Sequence, residues 1–472
     1  MTEPEPPKTP PFEVGDAFLQ RLERIVVPLL RRQFRSAQDI WKLQLDLYRL
    51  QREVQASITK RKSDPRSKAS SDEIQALRSI RWHARAFGDT LAWAFHHGDR
   101  SLLYPMSFNE KVPIEPWTNE PSPLVIAAEG LSPRLGFPLL HDITDILRIG
   151  DVSFFRAGLE RPMTVELKAS VVSRERDGDQ VKIQYQMSAV WPAGAEHAES
   201  LPVDPGDPAP MAQATPRRRQ AGLDSRRFRK QLERMSDAHA QRTADLGKPT
   251  KIGGRPALFL RMEADDSPTH WPVIRRLIRR ARRTGYASGS AEQSTMYVVA
   301  YSADGFEADD PAFVRAGTDL GASDIWYADT NRNMMRITPL VDPSQRGPHR
   351  WMPYFLYPIP LTSRVDILHG RLIILSILNV GRLADAIQAE GLRVEMPGRH
   401  ANSMSVLLDV PSDEGSYLVD LANLEENIAE MIMEGGSIQS VAALAAHMAD
   451  NIRDLLPDMM RVAREDEDRS AE

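Results

Sequence analysis

Apolar residues recur at three- and four-residue spacing from the start of the chain. Leu19, Leu22, Ile25, Val26, Leu29 and Leu30 follow this rule, and so do Ile40, Leu43, Leu47, Leu50 and Val54. The spacing predicts a helical arm over residues 12–60. Pro28 kinks or starts a helix within it, because its ring removes a donor. Residues 61–72, inside "TKRKSDPRSKASSDE", read as a polar, basic linker with Ser71 as a helix cap and Glu73 in the first turn. "EIQALRSIRWHARAFGDTLAWAFHHGD" predicts an amphipathic helix ending near Gly98. Its apolar face carries Ile80, Ala84, Phe87, Leu91 and Phe95, with Asp89 inside the pattern. His96 and His97 are adjacent and must diverge, so they read as helix-end histidines and not as a metal pair.

The periodicity then shortens to two. "PLVIAAEG" predicts a buried strand. "GDVSFF" and "MTVELKA" flank "RAGLERP" and predict a hairpin, and "VKIQYQMSAVW" alternates as a further strand. Residues 193–222 are rich in Pro, Ala, Gly and Asp and predict a disordered loop; the proline-rich residues 1–11 predict a disordered end. "SRRFRKQLERMSDAHAQRT" reads as a helix with a basic start. "RPALFLRME" and "STMYVVAYSA" read as core strands. Between them "WPVIRRLIRRARRTGY" is a helix with Ile274, Leu277, Ile278 and Ala281 inward. The order predicts an α/β fold, a mixed β-sheet core over residues 73–304 with a helix on either face. From 305 to 472 the loops and aromatics increase, and an α+β region is expected. There "RLIILSILNVGRLADAIQAEGLRVEMP" gives an apolar strand or helix followed by a helix. Two terminal helices are expected to break at Gly435 and Gly436.

The bulk numbers bound the class. The 472 residues suffice for two or three domains, and 42% hydrophobic with 26% charged residues reads as a globular, water-exposed protein. No apolar run is long enough to span a bilayer, and the N-terminus has no basic-then-apolar segment, so no membrane partner is expected. Cysteine is absent, which removes disulfides and Cys-based zinc sites and fits a reducing cytoplasm. A net charge of −5 confines any nucleic-acid contact to local basic patches.

The hairpin carries the chemistry. With its turn centred on Gly158 and Leu159, Asp151 falls opposite Glu166, and Ser153 opposite Thr164. Alternation puts Glu166 and Lys168 on one face, with Val165 and Leu167 facing a core that includes Val152 and Phe154. Opposed Cβ atoms lie roughly 5 Å apart, where two carboxylates repel unless a cation sits between them. Mg²⁺ (or Mn²⁺) takes one or two carboxylates together with phosphate oxygens, and a lysine beside it offsets charge that builds on phosphate. Asp142 and Asp145, in "HDITDILRIGD", compete with Asp151 for the acid's role.

An apolar run at Asp, a hairpin, then an apolar-Glu-x-Lys strand resembles the PD-(D/E)XK phosphodiesterase superfamily, which includes restriction and repair nucleases. The resemblance covers about residues 73–300 and implies a restriction-endonuclease-like core. It implies Asp151 and Glu166 as metal ligands and Lys168 as the catalytic lysine. It also implies supporting roles for Asp89 on the preceding helix, Glu129 on the strand before the hairpin, and Gln231 on the helix after it. Gly150 stands where the family's name has proline.

Arg275, Arg276, Arg279, Arg280, Arg282 and Arg283 crowd one helix, and Arg226 and Arg227 lie in a second basic cluster. Such faces attract phosphate backbones, although a solvated charged face is the commoner outcome. Two functions follow. One, which the resemblance implies, is an Mg²⁺-dependent endonuclease acting on DNA in bacterial defence, antiviral defence included, or repair, its helical arms joining copies or a partner protein. The other is a non-catalytic scaffold, or a nucleic-acid-binding interaction protein, in which the nuclease-like core serves as a binding module and the helical ends assemble it.

Overall fold

The computed structural model describes residues 13–31, 36–63, 71–107, 123–156, 162–177, 180–190, 226–243, 249–252, 255–258, 269–306, 315, 318–319, 334–341, 352–395, 405–412, 415–420 and 435–471. The disorder expected over 1–11 and 193–222 falls outside these residues. The described chain is mixed α/β, with antiparallel sheets and ten helices. It divides into two units: Met1–Thr243 with Pro343–Phe355, and Ala244–Asp342 with Leu356–Glu472. The single core expected over 73–304 is therefore cut near residue 243, and the expected C-terminal region contributes to both units.

In the first unit α1 (Glu13–Leu30), α2 (Ala37–Ser63) and α3 (Ser71–Phe95) pack on one another. Leu22, Val26, Leu47, Leu50 and Val54 are fully buried. Each such side chain contributes about 1.5–3 kcal/mol by leaving water. The expected arm is thus an integral layer of the unit: its apolar stripes are used up inside the fold. After α4 (Arg100–Ser107) comes α5 (Pro123–Leu135). This is the stretch expected as a strand. Leu124, Ala127, Ala128 and Leu131 are its buried residues, a helical spacing, and a short apolar run does not by itself separate the two periods.

The sheet that follows has strands β1 (Phe137–Leu140), β2 (Val152–Phe155), β3 (Met163–Asp177) and β4 (Gln180–Val190), paired antiparallel in that order. A single 3₁₀ turn, His141–Ile143, leaves β1. α5 lies against β1, β2 and β3, and α2 against β1. Edge strand β1 would leave backbone groups unpaired. The fully buried Gln44 amide takes that place: Nε2 donates to Pro138 O (3.0 Å) and Oε1 accepts from Leu140 N (3.0 Å). Gln51 repeats the device further along α2, donating to Ile143 O at 3.1 Å. α6 (Arg226–Thr243) packs on α4. Tyr354 and Phe355 close the unit against α3: the Tyr354 hydroxyl lies 2.9 Å from His83 Nδ1, and the Phe355 ring stands edge-on to Phe87.

The second unit holds a hairpin, β5 (Pro249–Ile252) and β6 (Arg255–Leu258), and a sheet ordered β7-β8-β10-β9. These sheet strands are β7 (Tyr286–Ser290), β8 (Thr295–Tyr301), β9 (Met335–Pro339) and β10 (Leu372–Asn379). α7 (Trp271–Thr284) lays Ile274, Leu277, Ile278 and Ala281 on β7 and β8, the face its periodicity predicts. Next come α8 (Leu361–Leu368) and α9 (Val380–Ala389). The apolar run at 372–384 is strand and then helix, and Asn379 sets the change by accepting from Gly381 N and Arg382 N. The smaller sheet is β11 (Arg393–Glu395), β12 (Ser405–Ser412) and β13 (Gly415–Asp420). It shares a core with α9 and α10 (Ile438–Ala471), including Leu383, Ile387, Val406, Leu408 and Val441. The helix expected before Gly435 lies outside the described residues. No described helix is long and apolar enough to cross a membrane.

Candidate active site

The hairpin forms in the register that alternation and turn length predict: Ser153 pairs with Thr164, Val152 with Val165 and Phe154 with Met163. The turn itself, 157–161, lies outside the described residues. Asp151 precedes the ladder by one residue. Its N–H donates to Val165 O at 2.9 Å, and its own carbonyl accepts from His141 N at 3.0 Å. The two acids are thereby joined through one backbone bond, because Val165 O belongs to the peptide link that leads to Glu166. Gly150 makes this possible. Its φ is +74°, and a Cβ there would come within 2.6 Å of Thr164 Cγ2. Proline, locked near −65°, cannot adopt that geometry.

Both faces of the hairpin are covered. Val152, Phe154 and Val165 are buried, and so are Ser153, Thr164 and Glu166, the last only 1% exposed. Asp151 is half-buried. The polar cover is one directional chain of hydrogen bonds. Arg242 on α6 donates to Thr164 Oγ1 (3.1 Å) and faces His96 Nε2 (3.3 Å). Thr164 Oγ1 meets Ser153 Oγ at 3.1 Å, and Ser153 Oγ meets His141 Nε2 at 2.8 Å. The outer imidazole nitrogens, Nδ1 of His141 and of His96, sit 3.1 Å from Gly150 O and 2.8 Å from Ala92 O. Each bond finds its donor if both histidines are neutral and protonated at Nδ1. Burial lowers His96 to about 3 and His141 to about 4, and the Arg242 charge adds to both shifts. Of the helix-end histidines, His96 is buried in this chain, while His97 is exposed with φ +55°.

Asp142 is the second acid that responds to Glu166. Burial pushes its carboxyl up to about 6; the Arg85 guanidinium opposes the rise and the Glu166 carboxylate adds to it. Asp145 is committed elsewhere, to an ion pair with Arg85. Asp89, the expected helix acid, sits fully buried beneath the same loop. Its Oδ1 accepts from Asp145 N (2.7 Å) and Ile146 N (2.9 Å). Burial holds this carboxyl well above the ordinary range, and the Asp145 charge adds to the shift. Asp89 therefore fastens the loop. Gly88 beside it lets that loop touch the helix, since a Cβ there would lie 1.9 Å from Ile143 O.

The other expected residues are distributed as follows. Lys168 pairs with Ser188 in the β3–β4 ladder; its side chain lies outside the described residues, as do those of Gln231, Arg226 and Arg227 on α6. Glu129 is on helix α5, not on a strand. It is exposed and accepts from Trp41 Nε1 at 2.9 Å, so the structure ties it to α2 and not to the acids. Arg275, Arg276, Arg279, Arg280 and Arg283 are exposed on α7. Arg282 is not part of that open face: it bonds Thr362 Oγ1 and pairs with Asp366, both on α8. All six belong to the second unit, whereas the acids belong to the first.

Missed by sequence reading was a polar stripe at helical spacing: Tyr48, Gln51, Arg52 and Gln55 on α2, with Arg81 and Arg85 on α3. These six and Asp142 line a half-open cleft with about 330 Å³ of empty space, its solvent mouth included. Among the described residues no three acidic or imidazole side chains gather as a metal site. What fold and site define at this point is a mixed α/β protein with a buried acid group under a β-hairpin. Comparison with protein-family models, with curated proteins and with solved structures gave no match.

Proposed function

We propose that the chain is a divalent-metal-dependent phosphodiesterase of restriction-endonuclease-like fold that acts on DNA. The observation that carries this reading is the backbone bond from Asp151 to the peptide link before Glu166, with Asp142 close enough to feel the Glu166 charge. Carboxyls opposed on neighbouring strands are a usual seat for a divalent cation. Asp151 and Glu166 would hold the ion, which fits Mg²⁺ because that ion needs only one or two carboxylates and keeps water or phosphate oxygens on its other positions. When bound, the ion would draw charge from the scissile phosphate and acidify a water. The chain's own part is to fix the acids: Gly150 and the His141–Ser153–Thr164–Arg242 chain set the strand ends, and Lys168, by its place in the Glu-x-Lys pattern, would offset charge on phosphate. The test is supercoiled plasmid incubated with the full chain. Nicking is expected with Mg²⁺ and not with EDTA, and Lys168→Ala is expected to remove it. Nicking by Lys168→Ala at the parent rate would overturn the reading.

One observation favours a second reading, a nuclease-like module that binds nucleic acid without cutting it: the chain itself covers Glu166. The five exposed arginines of α7 serve either function. Each phosphate that the protein no longer neutralises should reduce the slope of log K against log salt by roughly 1. Replacing Arg276, Arg279 and Arg283 together by glutamine is expected to weaken duplex binding and flatten that slope by about 2–3. A fluorescence-anisotropy salt series measures it, and an unchanged slope would place the DNA elsewhere.

A further inference from the structure

We propose that the cleft between α2 and α3 is a phosphate-binding site, in which Arg52, Arg81 and Arg85 grip the oxygens of one phosphate group. The cleft is built by spacing. Tyr48, Gln51, Arg52 and Gln55 fall on one face of α2, and Arg81 and Arg85, one turn apart, on one face of α3. Like charges one turn apart repel. Burial and the neighbouring Arg85 both lower Arg81, and Asp145 opposes them. Asp145 is paired with Arg85, and Arg81 has the neutral Gln55 amide as a partner. The Arg52 guanidinium lies 5.7 Å from the centre of the Tyr48 ring, above its face, and a guanidinium stacked in this way donates through its edge. Arg85 Nε is buried with no hydrogen-bond partner among the described residues. Three guanidinium groups, one of them already giving Nη1 to Asp145, and one carboxyl, Asp142, surround the half-open space, so cations outnumber acids there and suit a tetrahedral oxyanion, because guanidinium binds phosphate through paired bonds. The site needs no metal and does not depend on the cutting reaction.

A phosphate group could arrive on a strand end or within a strand, and the experiment separates these sources. The full chain, in EDTA, is titrated with inorganic phosphate and with an oligonucleotide, roughly one helical turn long, that does or does not carry a 5′-phosphate. Phosphate is expected to bind and to raise the melting temperature. Arg52→Gln with Arg81→Gln is expected to weaken phosphate binding at least about tenfold, the loss of charged hydrogen bonds. Arg49→Gln, on the exposed side of α2, should leave it unchanged. If the 5′-phosphate strengthens oligomer binding in the parent and not in the double variant, the source is a strand end. If both oligomers bind alike and both weaken in the double variant, the source is the backbone. The proposal falls if the parent binds no inorganic phosphate, or if Arg52→Gln alone and the folded double variant bind it as the parent does. Plasmid nicking is not part of these readouts, so failure here leaves the catalytic reading standing, and the converse holds.

Discussion

On the proposed reading, Glu166→Gln is expected to cut DNA about 10³-fold more slowly than the parent, the scale of losing a principal electrostatic group at a reacting centre, and to lose less stability than the parent as pH rises through about 6. The two outcomes have one origin. The substitution keeps the volume of a side chain that is 1% exposed, so no cavity opens. It removes the charge that helps hold Asp142 up near 6. An acid whose folded pKa is raised adds most stability at low pH, and that contribution is lost as pH rises through the folded value. With the Glu166 charge gone, the Asp142 carboxyl falls back toward its ordinary range and the loss above about pH 6 shrinks. Urea midpoints taken from about pH 4 to about pH 8 should therefore fall less in the variant than in the parent. A variant that cuts at the parent rate removes Glu166 from the reaction. One that cuts slowly because it is unfolded would contradict the assigned origin.

Arg242→Met is expected to destabilise the first unit by about 1–3 kcal/mol for each buried polar partner it leaves unsatisfied. Thr164 Oγ1 loses a donor and His96 Nε2 loses the guanidinium facing it, both inside the protein. The pH dependence gives a sharper test. His96 and His141 are held neutral, at about 3 and about 4. A histidine with a lowered folded pKa gives its full stability above about 6.5, and loses up to about 1.4 kcal/mol per pH unit as pH falls below that. The Arg242 charge is part of what lowers both. Its removal lets both titrate nearer their ordinary value, so the variant loses less than the parent on acidification. The gap between the two proteins in denaturant midpoint should narrow from about pH 8 to about pH 5, while terms common to both cancel. A constant gap would mean that the guanidinium does not act on these rings.

The hairpin was legible because two short apolar runs, alternation and a symmetric turn leave little choice of register, and Ser153 meets Thr164 as that argument requires. The inward face of α7 was legible for the same reason: Ile274, Leu277, Ile278 and Ala281 repeat with the helix. Other features had no local signature. Gln44 and Gln51 look like ordinary solvent positions of α2, and what buries them is the backbone of β1 and Ile143, far along the chain. Arg242 is one basic residue among many on α6, and its partners come from β3 and from the turn that follows α3. The apolar and small residues in "PLVIAAEG" fit either period, and only packing of Leu124, Ala127 and Leu131 decides for helix. The backbone placement of Asp151 beside Val165 was legible, but the burial of Glu166 depends on long-range packing that no local pattern announces.

The return of Tyr354 and Phe355 to α3 has a further consequence. The first unit is encoded in two stretches, with a large part of the second written between them. During synthesis on the ribosome, the helices and sheet made from residues 13–243 emerge well before the two aromatic rings that complete their packing. No single cut in the gene yields the first unit whole, and a fragment ending at 243 would expose Trp82, His83 and Phe87 where those rings belong.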